Sequence, residues 1–99
     1  MLIRIVRMTF KEQEVESFMT LFHDVKLKIR AFEGCRRLEL WRDYNDDNVF
    51  LTYSIWDTQE HLDHYRFSDL FKDTWSKTKV LFAEKPQAFS SRQFMNVEM

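Results

Sequence analysis

An alternating strand, a long amphipathic helix, a two-strand hairpin, a broken second helix and a proline-led final strand follow one another along 99 residues. That order predicts an α+β fold of the split β-α-β, ferredoxin-like type (βαββαβ), with an antiparallel four-stranded sheet. Two further observations support it. The length fits one domain, residues 1–99, and 44% hydrophobic with 16% aromatic residues is enough to build a core.

Residues 2–10 (LIRIVRMTF) set Ile3, Ile5, Arg7 and Thr9 against Leu2, Arg4, Val6, Met8 and Phe10. This period-two alternation predicts a strand with apolar residues on both faces. Thr9-Phe10-Lys11-Glu12 has the T-x-x-E form of a capping box, opening a helix over 11–31. Its stripe is Val15, Phe18, Met19, Phe22, Val25, Ile29 and Phe32, with Glu12, Glu14 and Glu16 early and Lys26, Lys28 and Arg30 late. Gly34 then suits a left-handed cap.

Residues 35–44 and 48–56 read as strands joined by the turn cluster Asn45-Asp46-Asp47-Asn48. Asp57-Thr58-Gln59-Glu60 is a second capping signal, followed by Leu62 and Tyr65 on one helix side. Ser68 reads as a fresh N-cap, so the helix breaks near 67–68 before Leu70, Phe71, Trp75, Thr78 and Phe82. Pro86 ends helical possibility and introduces a last strand near 87–94. The tail from Phe94 to Met99 is apolar enough to pack on a partner chain.

Composition excludes several functions. Gly34 is the only glycine, whereas a dinucleotide fingerprint, a P-loop or a nucleophile elbow each needs two or more. A net charge of −1 argues against binding through phosphate neutralisation. No apolar run approaches the roughly 20 residues that cross a bilayer, and no signal-peptide pattern is visible. The single cysteine, Cys35, excludes an internal disulfide framework and fits a reducing cytoplasm.

Candidate chemistry is sparse. His61 and His64 share a helix face but lack the H-E-x-x-H pattern and a third ligand, so exposed polar residues explain them better than zinc. His23 reads as solvated. Cys35 precedes Arg36 and Arg37, and such charge can lower a thiol pKa, but a lone cysteine opening a strand reads as a small packing residue rather than a nucleophile. Trp41, Trp56 and Trp75 suit a core or a dimer interface. On the third strand Trp56 shares parity with Phe50, Thr52 and Ser54, opposite Val49, Leu51, Tyr53 and Ile55. A face mixing Thr, Ser and Trp fits a small-molecule cavity and ordinary packing equally. Arg7, on an apolar strand, requires an ion pair such as Glu39, a surface position or an anionic ligand.

The stretch Trp56-Asp57-Thr58-Gln59-Glu60-His61-Leu62-Asp63-His64, followed by Phe67-Ser68-Asp69-Leu70-Phe71, resembles the antibiotic biosynthesis monooxygenase family. The shared features are a strand-end Trp, a small capping residue, an acidic residue, a His eight after the Trp and a short break before the next helix. Phe32-Glu33-Gly34-Cys35 is similar to the family's turn after its first helix, and the resemblance spans residues 2–92. It implies a ferredoxin-like subunit that pairs its sheet with a second copy in a dimeric α+β barrel, with a pocket between each sheet and its own helices. It also implies oxygenation of quinols or polycyclic phenols without metal or flavin, or else haem degradation. Haem-degrading members use an Asn on strand one and an axial His on the second helix. This chain carries Arg7 and Trp75 at those places, and Trp75 cannot ligate iron. Phenol-oxidising members place an Asn four residues before the Trp, where this chain has Thr52.

The resemblance therefore implies a small monooxygenase without cofactor or metal, acting on an aromatic, phenolic or quinol substrate. Its expected catalytic set is Trp56 as pocket wall, Thr52 for hydrogen bonding and His64 for proton transfer. Arg7, Phe50, Ser54, Tyr65, Phe71 and Trp75 are the expected substrate-binding residues. The alternative is a non-catalytic dimeric small-molecule-binding module of the same fold. RNA recognition, a third use of such sheets, expects glycine on the third strand, and NVFLTYSIW has none. Ten Phe and three Trp around two helices leave apolar surface on the second sheet face, which predicts a homodimer. The expected partners are thus a second copy and a small aromatic or quinol-like ligand, with no nucleic acid and no membrane.

Overall fold

The computed structural model describes residues 1–99. In chain order the elements are β1 (Leu2–Thr9), a 3-10 turn (Glu12–Glu14), α1 (Val15–Arg30), β2 (Cys35–Arg42), β3 (Val49–Trp56), α2 (Gln59–Arg66), α3 (Asp69–Lys79) and β4 (Gln87–Ser91). The four strands form one antiparallel sheet in the order β2-β3-β1-β4. This is the ferredoxin-like α+β arrangement the alternation predicts. β4 is shorter than expected, ending at Ser91, and Phe94, Met95, Val97 and Met99 beyond it are exposed.

The capping box is not formed. Thr9 stays in β1, where its carbonyl accepts from the Ala83 amide at 2.8 Å, and the chain enters α1 through the 3-10 turn with no side-chain cap. A strand partner has outcompeted the local cap. The other two caps form as expected. Thr58 Oγ1 accepts from the His61 amide at 3.2 Å, and Ser68 Oγ accepts from the Phe71 amide at 3.1 Å, so the helical segment breaks at Phe67. Asp43 shapes the hairpin turn by accepting from the Asn45 and Asp46 amides at 3.0 Å. These two bonds, with a smaller contribution from Arg7, hold its carboxyl below the usual carboxylate range.

Register fixes the faces. Leu2, Arg4, Val6 and Met8 pair with Trp56, Ser54, Thr52 and Phe50, and this parity faces the helices. Ile3, Ile5 and Arg7 pair with Ile55, Tyr53 and Leu51 on the open face. There Trp41 stacks on Tyr53 with centroids 4.8 Å apart. Its indole N–H donates to Glu39 at 2.8 Å. Arg37 also donates to Glu39, so the carboxylate considered as a partner for Arg7 is already taken.

Two apolar clusters occupy opposite ends of the helix-covered face. Met8, Phe10, Phe18 and Phe50 form one, with Phe10 stacked on Phe18 at 4.2 Å. Cys35, Trp56 and Leu62 form the other, with Phe32, Leu38 and Tyr65 packed against them. The second cluster depends on a tight corner at Gly34. This residue has φ 86°, and its carbonyl accepts from the Asp57 amide at 2.9 Å. The His61 ring lies against its backbone, so a β-carbon there would collide with the imidazole carbons. Gly34→Ala should therefore lower stability by at least the ~1–3 kcal/mol of a strained left-handed residue. Urea denaturation measures this, and an unchanged midpoint would show that the corner relaxes freely.

Candidate functional site

Between the two clusters the helices stand off from the sheet and enclose a cavity of about 270 Å³. Its floor is the middle of the sheet: Arg4 and Val6 of β1, Leu38 of β2, Thr52 and Ser54 of β3, and Ala88 of β4. These are smaller side chains than the Phe50 and Trp56 that flank them on β3. The roof comes from Leu21, Phe22, Val25 and Ile29 of α1, Tyr65 and Arg66 of α2, and Phe71, Thr74 and Trp75 of α3. The volume falls just below the roughly 300–1,000 Å³ of pockets that take drug-sized ligands, and it suits one or two rings.

Trp56 is 1% exposed and stacks on Tyr65 with centroids 5.0 Å apart. Its indole N–H donates to Ser54 Oγ at 3.0 Å, and Ser54 Oγ in turn donates to the Arg4 carbonyl at 3.5 Å. The indole N–H is therefore committed to the protein, and Trp56 offers the cavity only its ring. Burial, with a smaller effect of Cys35, pushes the Tyr65 phenol above its usual range. Tyr65 is thus a neutral O–H donor at any physiological pH. Phe71 and Trp75 continue the aromatic wall, stacked with centroids 5.8 Å apart.

Six of the nine expected site residues converge on this cavity: Thr52, Ser54, Trp56, Tyr65, Phe71 and Trp75. Three do not. Arg7 has the wrong parity and lies on the open face between Leu51 and Gln87. Phe50 is buried in the first cluster beneath Arg42, whose guanidinium carbon is 5.0 Å from its ring centroid. His64 is exposed and meets only the edge of Phe32, because Leu62 and Tyr65 take the inward side of α2. No carboxylate or imidazole lines the cavity.

Among the lining residues that were not anticipated, Arg4, Arg66 and Thr74 bring polar groups to the wall. Arg4 was legible in principle, since it shares the inward parity of Val6 and Met8. Thr74 Oγ1 is the one buried side-chain polar atom without a hydrogen-bond partner in the protein. Such an orphan marks a place where a ligand or water completes the bonding.

The remaining candidates resolve simply. The Cys35 thiol is buried, donates to the Arg37 carbonyl at 3.6 Å, and is pushed up by desolvation against a smaller opposing effect of Arg30. It is a packing residue. His61 contacts Thr58 and Gly34 while His64 contacts Phe32, and no three His, Cys, Asp or Glu side chains gather as a ligand set.

A family model described as antibiotic biosynthesis monooxygenase matches residues 1–76, which span β1 through most of α3. The chain belongs to the antibiotic biosynthesis monooxygenase family. Solved structures extend the likeness over the last strand. An antibiotic biosynthesis monooxygenase superposes with a TM-score of 0.90 at 17% identity, covering 96% of this chain and 100% of its own. A conserved Methanosarcina mazei Go1 protein gives 0.88 at 20% identity, covering 94% and 93%. A Mycobacterium tuberculosis protein gives 0.87 at 15%, covering 98% of both chains. At these identities the likeness establishes the shared fold. No curated protein matches the chain in sequence. Within this family fold, the Trp56–Ser54 bond joins the site to the core. Ser54→Ala should strand a buried indole N–H and cost about 1–3 kcal/mol in urea denaturation. Ser54→Thr, which keeps an acceptor, should lose less; equal losses would show that the bond contributes nothing.

Proposed function

We propose that this member of the antibiotic biosynthesis monooxygenase family is a cofactor-independent monooxygenase for a phenolic or quinol-type aromatic. The observation that carries the reading is the aromatic-walled cavity with free donors at its wall, the Tyr65 phenol and the unpartnered Thr74 hydroxyl. An electron-rich phenol, once ionised, passes one electron to dioxygen, and the resulting radical pair collapses to form a carbon–oxygen bond. The peroxide takes up a proton and expels water to leave a quinone. One oxygen atom enters the product and the other leaves as water, so the substrate supplies all the electrons and no external reductant is consumed.

The protein's part is to exclude water, stack the ring against Trp56 and Trp75, and direct donors at the developing oxyanion. Thr52 adds a hydroxyl on the floor. The role first assigned to His64 passes to no other base, because the lining holds none. The substrate proton goes to solvent, and the cationic lining favours the ionised form. The lack of a base also favours a second reading, a non-catalytic binding module. Oxygen-electrode assays with an anthrone or naphthol substrate separate the two. Oxygen uptake matched to product supports the enzyme, and Tyr65→Phe should reduce it at least about tenfold, as expected for loss of an oxyanion donor. Binding without uptake supports the module.

The same proposal includes a homodimer built on the open sheet face. Ile3, Ile5, Leu51, Tyr53, Ile55 and Trp41 lie together there, and Phe89 of β4 is half exposed. A monomer would leave this apolar face to water. A cytoplasmic location fits the unpaired thiol of Cys35, and no helix is long and apolar enough to cross a membrane. Sedimentation equilibrium at micromolar concentration should give twice the chain mass, and Leu51→Asp or Tyr53→Asp should abolish soluble folding. A stable species of single-chain mass, or a well-folded monomeric variant, would remove the sheet face from the interface.

A further inference from the structure

We infer that the cavity takes its ligand as an anion, an aromatic carboxylate whose charged group lies between Arg4 and Arg66. The inference rests on the cavity being the ligand site and specifies what enters it. Arg4, from the inner strand β1, and Arg66, from the last turn of α2, both line the cavity. Neither takes part in any of the protein's ion pairs, which join Arg36 to Asp57, Arg37 to Glu39, His61 to Glu33 and Lys77 to Asp73. The one side-chain partner of the Arg4 guanidinium is neutral, the Ser90 hydroxyl at 3.1 Å.

Arg4 is half-buried beside an apolar chamber with no carboxylate in its lining, so its charge has no anionic partner there, while Arg66 brings a second, exposed cation to the same wall. At Arg4 the affinity for the proton is lowered by desolvation and then by the charge of Arg66. An anion between them relieves both penalties, and guanidinium groups bind carboxylate oxygens in a planar, bidentate manner. Thr74, the unpartnered hydroxyl, lies in the same lining and can donate to the ligand. The aromatic wall of Tyr65, Phe71 and Trp75 suits a flat ring system attached to the charged group. A phenolate oxygen offers the same charge, but its ionisation depends on pH in a range where a carboxylate is already charged.

Titration calorimetry of the full chain with 1-naphthoate, its neutral analogue 1-naphthamide, and 1-naphthol tests the inference. At neutral pH naphthoate should bind at least about tenfold more tightly than naphthamide, the gain expected of charge-assisted hydrogen bonds. Arg66→Met, at an exposed helix end, should erase most of that difference by weakening naphthoate far more than naphthamide. Arg4→Met should do the same where the inner strand still folds. Equal affinities for acid and amide, or an unaffected preference in Arg66→Met, overturn the inference and leave the cavity reading standing. Binding of none of the three overturns both. Naphthol that matches naphthoate only as pH rises overturns the carboxylate in favour of a phenolate.

Discussion

The distribution of side-chain size along the inward face of β3 governs this molecule. Phe50 and Trp56 stand at its ends, with Thr52 and Ser54 between them, while Met8 and Leu2 end the matching row of β1. A helical layer resting on the large residues cannot also touch the small ones. Dispersion and burial are satisfied at the two ends, where Phe10, Phe18 and Leu62 pack tightly, and the middle is left hollow. The cavity therefore follows from the order of volumes along two strands. Its shape is stabilised by both cores at once, which keeps the helices from sinking onto the floor.

Parity explains most of what could be read from the chain alone. Alternation separates Phe50, Thr52, Ser54 and Trp56 from Val49, Leu51, Tyr53 and Ile55, and register confirms that separation residue by residue. The same rule, applied to β1, puts Arg4 inward and Arg7 outward. Family resemblance pointed to Arg7, and the period of the strand overrules it. On α2 the inward positions of Leu62 and Tyr65 likewise turn His64 outward, so the helical period was again the sounder guide. Parity could not identify Thr74, whose orphaned hydroxyl is defined by the surroundings that α1 and the sheet provide.

Local signals succeeded where nothing long-range competed. Thr58 and Ser68 cap their helices, and Gly34 adopts the left-handed conformation its position demanded. Thr9 had the same capping chemistry but sits where β1 continues and the Ala83 amide approaches its carbonyl. Strand pairing and burial outweigh one side-chain cap, worth about 1 kcal/mol. Arg66 was hidden for a different reason. A basic residue in the last turn of a helix needs no explanation beyond the macrodipole, so its second use emerges only from the cavity beside it.

β1 is one of the sheet's two inner strands, yet it precedes both of its neighbours in the chain. Leu2 pairs with Trp56 and Ile3 with Ser91, so the sheet's middle waits for the final strand to be made. During translation this two-faced apolar segment is made before both of its partners: it waits through α1 and β2 for β3, and its other edge waits through α2 and α3 for β4. Such late closure raises contact order and prolongs exposure of a sticky strand. Arg4 and Arg7, one on each face, interrupt the apolar run of β1. The same charges that serve opposite faces of the finished sheet thus act as gatekeepers for the nascent one.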